Sequence, residues 1–169
     1  LPVFAVSGIS NATEAEQILE AGGADMVAMT RAQIADPASA NKTEAGREDE
    51  IYHCIRCNQG CVARLFHGTS MTCQVNPATG REAVFGPETI QMAGRAQHWV
   101  VIGGGPAGMK AAEGLASRNH KVTLLERENQ LGGEVNQIVQ RPRRDSFQWI
   151  VKDLKAQIAT LGVDIRTGH

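Results

Sequence analysis

Val100-Val101-Ile102-Gly103-Gly104-Gly105-Pro106-Ala107-Gly108 is the stretch whose reading decides the fold. An apolar run leads straight into Gly-x-Gly-x-x-Gly, and a helical pattern with Ala111, Ala112, Leu115 and Ala116 on its expected buried side follows. Strand, glycine turn and helix in that order open a Rossmann-like βαβ unit. Gly103 permits the sharp turn, Gly105 lets the backbone approach a pyrophosphate, and Gly108 lets the helix pack closely on the strand. The helix N-terminus adds a field that favours the anion. Eighteen residues after Gly108, Glu126 closes the next apolar stretch, 121–125. A carboxylate there accepts hydrogen bonds from an adenosine ribose and repels a 2'-phosphate, so FAD, NAD or ADP is expected in preference to NADP. The plainer alternative leaves Glu126 as a surface strand end. Phe147, Ile150, Val151, Leu154, Ile158 and Leu161 recur at helical spacing, and a third strand is expected over 163–166.

On the N-terminal side of this unit, residues 51–93 lose all periodicity, and Gly, Pro, Asn and Thr punctuate a stretch that holds every cysteine of the chain. Cys54, Cys57, Cys61 and Cys73 read C-x2-C-x3-C-x11-C, three thiols within eight residues and a fourth brought back by a loop. Closely spaced cysteines on an irregular turn can aim several thiolates at one point, which a cubane iron–sulfur cluster requires and a regular helix or strand would prevent. Gly60 and Gly68 are expected to relax the backbone beside the thiols, and the Asn58 and Gln59 amides to lie near sulfur. A structural zinc is the first alternative, although zinc favours two short knuckles over a tight trio and a distant fourth. Two disulfides are the second, disfavoured without a secretory signal. His53 and His67 flank the motif and are read as bystanders.

The first thirty residues form a strand–helix–strand pattern. A strand over 3–6 ends at Ser7-Gly8. Asn11 caps a helix, with Glu14 placed to return the hydrogen bond and Ala15, Ile18 and Leu19 as its apolar stripe. Gly22-Gly23 stops it, and a second strand covers 26–29. Such a connection demands parallel strands. Ser7-Gly8 and Thr30-Arg31 then follow two successive strands, the functional edge of a parallel α/β protein, where backbone N–H groups and the Arg31 guanidinium can hold a phosphate. A plain surface charge is the alternative for Arg31. After Asp36-Pro37 a further helix is expected, ending in the charged run 47–50, a solvated face.

Composition agrees with a globular α/β chain: 169 residues, 42% hydrophobic, 21% charged and a formal net charge of -1. Nothing in that balance asks for nucleic acid or a membrane as partner. The continuous apolar runs fall far short of the ~20 residues that span a bilayer. No basic region with a small-residue cleavage site opens the sequence, so a cytoplasmic location is expected. The absence of an initiator Met, and a last residue just after an expected strand, suggest a piece of a longer chain, expected to show no turnover alone.

The cysteine spacing, Val75-Asn76-Pro77, the glycine turn, and Ala24-Asp25-Met26-Val27 through Ile34-Ala35-Asp36-Pro37 together resemble one family. It is that of the iron–sulfur flavoenzymes related to old yellow enzyme, including 2,4-dienoyl-CoA reductase and trimethylamine dehydrogenase. The resemblance implies that residues 1–46 end an FMN-binding TIM barrel, 47–95 hold a 4Fe-4S cluster, and 96–169 begin a Rossmann-like FAD or ADP domain. It assigns the four cysteines to the cluster, Thr30 and Arg31 to the FMN-phosphate segment beside the Ser7-Gly8 strand end, and Ala107 and Glu126 to the adenine dinucleotide, beside the Gly103, Gly105 and Gly108 read from the motif. Glu134 stands where the reductases carry glutamine, Gly8 where they usually carry arginine, and Ala32 where proline is usual. The x3-then-x11 spacing is nearer the dienoyl-CoA reductase type. The resemblance therefore implies that hydride from NAD(P)H reaches FAD, single electrons pass through the cluster to FMN, and a small-molecule activated alkene is reduced. Its alternative runs from an N-methyl amine to an electron-transfer flavoprotein as partner. From another class stands a non-catalytic zinc-stapled or ADP-binding interaction module.

Overall fold

Strands joined through helices must pair parallel, and all the strands here do. The computed structural model describes all 169 residues and divides into two units, Leu1–Glu82 and Ala83–His169.

In the first unit, β1 (Phe4–Val6) pairs with β2 (Met26–Ala28), with Phe4 opposite Met26 and Val6 opposite Ala28. The crossover is α1 (Ala12–Glu20), capped by Asn11, whose Oδ1 accepts the Glu14 N–H at 2.8 Å. The expected return bond goes elsewhere. The Glu14 carboxylate accepts the N–H and hydroxyl of Ser10, one residue before the cap, at 2.7 and 3.0 Å. Ala15 is buried, with Ile18 and Leu19 half-buried beside it. Immediately after β2 comes a helix that the strand-end reading of Thr30-Arg31 missed, α2 (Thr30–Ala35), with Ala32 and Ala35 buried. The helix expected after Pro37 is short, α3 (Ser39–Glu44), and residues 48–50 form a separate 3-10 turn.

Residues 51–93 are less uniformly irregular than their punctuation suggests. They contain α4 (Val62–Phe66), directly after Cys61, then α5 (Glu82–Phe85) and a 3-10 turn at 87–89.

In the second unit β3 (His98–Ile102), β4 (Lys121–Glu126) and β5 (Asp164–Thr167) form a sheet in the order β3-β4-β5. Between them run α6 (Pro106–Ala116), then the short α7 (Val135–Ile138) and α8 (Gln148–Thr160). The helices α6 and α8 pack on each other, and α6 packs on β4. Met109, Leu124 and Ile158 are the largest fully buried side chains, joined in the core by Ala112, Val122 and Leu154. The sequence reading put Ala111 on this face. It is exposed, and Met109, three residues before Ala112, takes the place. No helix is long and apolar enough to cross a membrane.

Candidate functional site: a four-cysteine segment and a glycine turn

The cysteine segment belongs to the first unit, and its local shape comes from two left-handed residues. Arg56 (φ 55) and Asn58 (φ 58) flank Cys57, an uncommon conformation for a residue other than glycine and a costly one for arginine. The reversal makes the Arg56 N–H donate to Cys54 Sγ at 3.4 Å. Ile51 and Ile55 are buried at 7% and 4% exposure, so apolar side chains anchor the same stretch. Eleven residues after Cys61 the chain returns. The Thr72 N–H donates to the Gly60 carbonyl at 2.7 Å, beside both Cys61 and Cys73. Gly60 is needed for that approach and not for flexibility, because a Cβ there would lie 2.5 Å from the Thr72 carbonyl oxygen. Gly68 does adopt the left-handed conformation, at φ 63.

All four thiols are half-buried and none is in a disulfide. Burial pushes the Cys73 thiol up, N–H groups of Val75 and Asn76 pull it down, and negative charge at Cys54 and Cys57 adds to the rise. Cys73 is therefore within electrostatic reach of two of the other three. No three His, Cys, Asp or Glu side chains converge into a metal-holding group. The fit to a thiolate-bound centre lies in the donor chemistry, four soft sulfurs with the Arg56 N–H donated to Cys54, rather than in a closed cage. The Asn58 amide, expected near sulfur, has its Oδ1 taken by the Arg31 guanidinium at 2.7 Å.

Ser7 and Gly8, both at φ 79, turn the chain out of β1 beside an open cavity of about 560 Å3 lined also by Glu14, Gln17 and Arg56. The Arg56 guanidinium reaches from the cysteine loop to Ser10 Oγ at 2.9 Å and the Glu14 carboxylate at 3.0 Å. Partial burial works against the Glu14 carboxylate, but Ser10 and Arg56 hold it below the usual range. Thr30 and Arg31 lie in the first turn of α2 rather than at the cavity wall, so the structure does not gather all four residues of the expected phosphate segment around one pocket. Arg56 is the cavity residue that sequence reasoning missed. Its neighbours in sequence are cysteine ligand candidates, and nothing local signals a contact with residue 14.

In the second unit the glycine turn has the conformation its spacing requires. Gly103 sits at φ 103, a left-handed value that disfavours any side chain. Gly105 begins α6 in extended conformation with open space where a Cβ would point, so only an incoming ligand would need that position bare. A Cβ on Gly108 would overlap the Gly103 carbonyl oxygen. Pro106 occupies the first helical position, where a missing N–H costs nothing, and Ala107 follows it, exposed.

Glu126 is 8% exposed, not a free surface strand end. Its Oε2 accepts the Gly104 N–H at 2.6 Å and its Oε1 the Glu128 N–H at 2.8 Å. These two N–H groups, Glu128 first, hold its carboxyl below the usual glutamate range. Each oxygen keeps a second lone pair, so the clasp leaves capacity for a ribose hydroxyl. Gly104, assigned no role by the motif, is closely enclosed by side chains, with Leu131 and the Glu126 carboxylate where its Cβ would be. The Gly132 N–H donates to the Gly104 carbonyl at 2.9 Å, and Gly133 lies against Gly105, bringing the exposed Glu134 close to the turn.

A family model described as an NAD(P)-binding Rossmann-like domain matches residues 101–161. NADH oxidase of Thermoanaerobacter brockii is 40% identical over 99% of this chain and 26% of its own length. The N,N-dimethylglycine/sarcosine dehydrogenase of Chromohalobacter salexigens is 38% identical over 99% of this chain and 24% of its own. Among solved structures, a complex of 2-naphthoyl-CoA reductase with 2-naphthoyl-CoA superposes with a TM-score of 0.91 at 33% identity, over 99% of this chain and 25% of that one. The chain thus spans about a quarter of the length of the relatives it matches. The α/β architecture is that of a TIM-barrel flavoenzyme passing into a Rossmann-like domain. On these matches, and on the parallel units and glycine turn just described, the chain belongs to the family of NADH:flavin oxidoreductases related to old yellow enzyme.

Proposed function

We propose that this chain supplies the electron-transfer segment of an NAD(P)H-dependent flavin oxidoreductase that reduces an activated alkene such as an enoyl or dienoyl thioester. Cys54, Cys57, Cys61 and Cys73 would hold a 4Fe-4S cluster, Ser7, Gly8, Thr30 and Arg31 would contribute to FMN binding, and Gly103, Gly105, Ala107, Gly108, Glu126 and Glu134 would receive FAD or ADP. The observation that carries this reading is Arg56. It stands between two of the cysteines and lines the same cavity as Ser7 and Gly8. Arg56 therefore ties the cysteine loop to the proposed flavin edge within the first unit. When bound, the cluster supplies one-electron steps between a two-electron donor and a flavin.

The chain's own residues bind and orient. The Gly103–Gly108 turn and the start of α6 offer N–H groups to a pyrophosphate. Ionised Glu126 shapes that turn through Gly104 and favours a ribose over a 2'-phosphate. Arg56 fastens the cysteine loop to α1, and Arg31 of α2 holds the same loop at Asn58.

The thioester in the 2-naphthoyl-CoA complex supports the reductase direction. The dimethylglycine/sarcosine dehydrogenase relative supports the second reading, in which an N-methyl amine is oxidised and electrons leave to an electron-transfer flavoprotein. Iron and acid-labile sulfide are to be measured after anaerobic purification, followed by NAD(P)H-driven reduction of an enoyl thioester against dimethylglycine-driven reduction of an electron-transfer flavoprotein. Cys57→Ala should bleach the visible absorption and leave dinucleotide binding in the second unit intact. One zinc with no sulfide would sink the proposal in favour of a stapled, non-catalytic module.

A further inference from the structure

The cysteine segment is gripped at both ends by one short piece of chain, the end of α2 and the Asp36 that follows it. On the entry side, Asp36 is 4% exposed, and its carboxylate serves three donors. Its Oδ1 accepts the Ala38 N–H at 3.0 Å, and its Oδ2 accepts Lys42 Nζ at 2.6 Å and the Tyr52 N–H at 3.0 Å. Lys42 Nζ also donates to the Glu50 carbonyl at 2.8 Å and lies 5.9 Å from the centre of the Tyr52 ring. The backbone is thus fixed two residues before Cys54.

On the exit side, the Ile34 carbonyl accepts Asn76 Nδ2 at 3.0 Å and Thr79 Oγ1 at 3.2 Å. The same Asn76 stands three residues after Cys73. Residues 34 and 36 therefore hold the chain just before the first cysteine and just after the last.

We propose that Asp36, with Lys42 and the Ile34 carbonyl, is the positioning element of the four-cysteine site: it sets where Cys54 and Cys73 stand relative to each other, and with them the Arg56 N–H that reaches Cys54 sulfur. A mere folding contact would need only one anchor. Here a part-buried ion pair is placed on one arm and a doubly used carbonyl on the other, two residues apart, and an outer group that orients a ligand tunes what the ligand binds. The inference rests on the cluster reading above, and its test separates the two.

Asp36→Asn keeps the shape but leaves one oxygen to serve donors that now use two, with an amide NH2 facing another donor. The whole protein, purified anaerobically, is the sample. Wild type should carry iron and sulfide. In Asp36→Asn, iron should be lost to a chelator about tenfold faster or more, and the electron paramagnetic resonance g values of the reduced cluster should move. Adenine-dinucleotide binding by the second unit should not change. If Asp36→Asn does not accumulate, Lys42→Met, which removes the cation and keeps the carboxylate, is measured the same way. Chelator rates and g values equal to wild type would overturn the positioning role while the cluster stands. Wild type lacking iron and sulfide would overturn the cluster reading, and this inference with it.

Discussion

The two units secure their candidate sites by different physics. In Ala83–His169 the glycine turn rides on an apolar core of Met109, Leu124 and Ile158, none more than 2% exposed. In Leu1–Glu82 the buried apolar side chains are small or few, Ala15, Ala32, Ala35, Ile51 and Ile55. There the cysteine segment is held by polar fastenings: Asp36 to Lys42 and Tyr52, Ile34 to Asn76 and Thr79, Arg31 to Asn58, Arg56 to Glu14. A core stabilises through area and is insensitive to direction. Hydrogen bonds to backbone fix position, yet each adds only ~1 kcal/mol net. The first unit thus holds its thiols through directional contacts on a modest core.

That contrast sets the scale of mutational effects. The largest belongs to the core: Leu124→Ala should cost about 2–5 kcal/mol, read as an earlier denaturant midpoint for the dinucleotide unit with thiol reactivity at the cysteines unchanged. A loss shared equally by both units would break the contrast. Asn76→Ala removes a donor to Ile34 and an acceptor for Ala78 and should cost about 1–3 kcal/mol. Its sharper signature is faster alkylation of Cys73, with the second unit's midpoint unmoved. Asn11→Ala deletes the α1 cap and should lower the first unit's stability by about 1 kcal/mol, and no change would mean that the Ser10–Glu14 bonds carry that terminus alone.

The finest test is made with pH. The folded Glu126 carboxyl sits below its unfolded value, so its stabilisation is present above the usual glutamate range and is lost as pH falls through the lower folded value. Wild type and Glu126→Gln should therefore differ in stability at neutral pH and converge in acid. A difference that persists at low pH would mean that packing around Gly104, not charge, makes the clasp.

Much of the second unit was legible because its signals are local. Gly103 and Gly108 need a bare Cα for reasons confined to six residues, and Glu126 falls at a strand end at a readable distance. The burial of Met109 in place of Ala111 was less legible, since both lie within one helical turn of Ala112 and only the packing of α8 selects between them. In the first unit the helix α2 was hidden because Thr30 and Arg31 read equally well as a strand terminus. The five-residue α4 was hidden among turn-forming neighbours.

The sequence alone determined the chemistry on offer: four thiols in one segment, a glycine turn between strand and helix, and a carboxylate at the end of the next strand. Side-chain identity and short spacing suffice for that. Only the tertiary structure decided what fastens those groups. Asp36 reaches Tyr52, Ile34 reaches Asn76, Arg56 reaches Glu14 and Glu126 reaches Gly104 across 16, 42, 42 and 22 residues of chain. A hydrogen bond between residues so far apart leaves no local periodicity to read, because its partner is selected by how the elements pack.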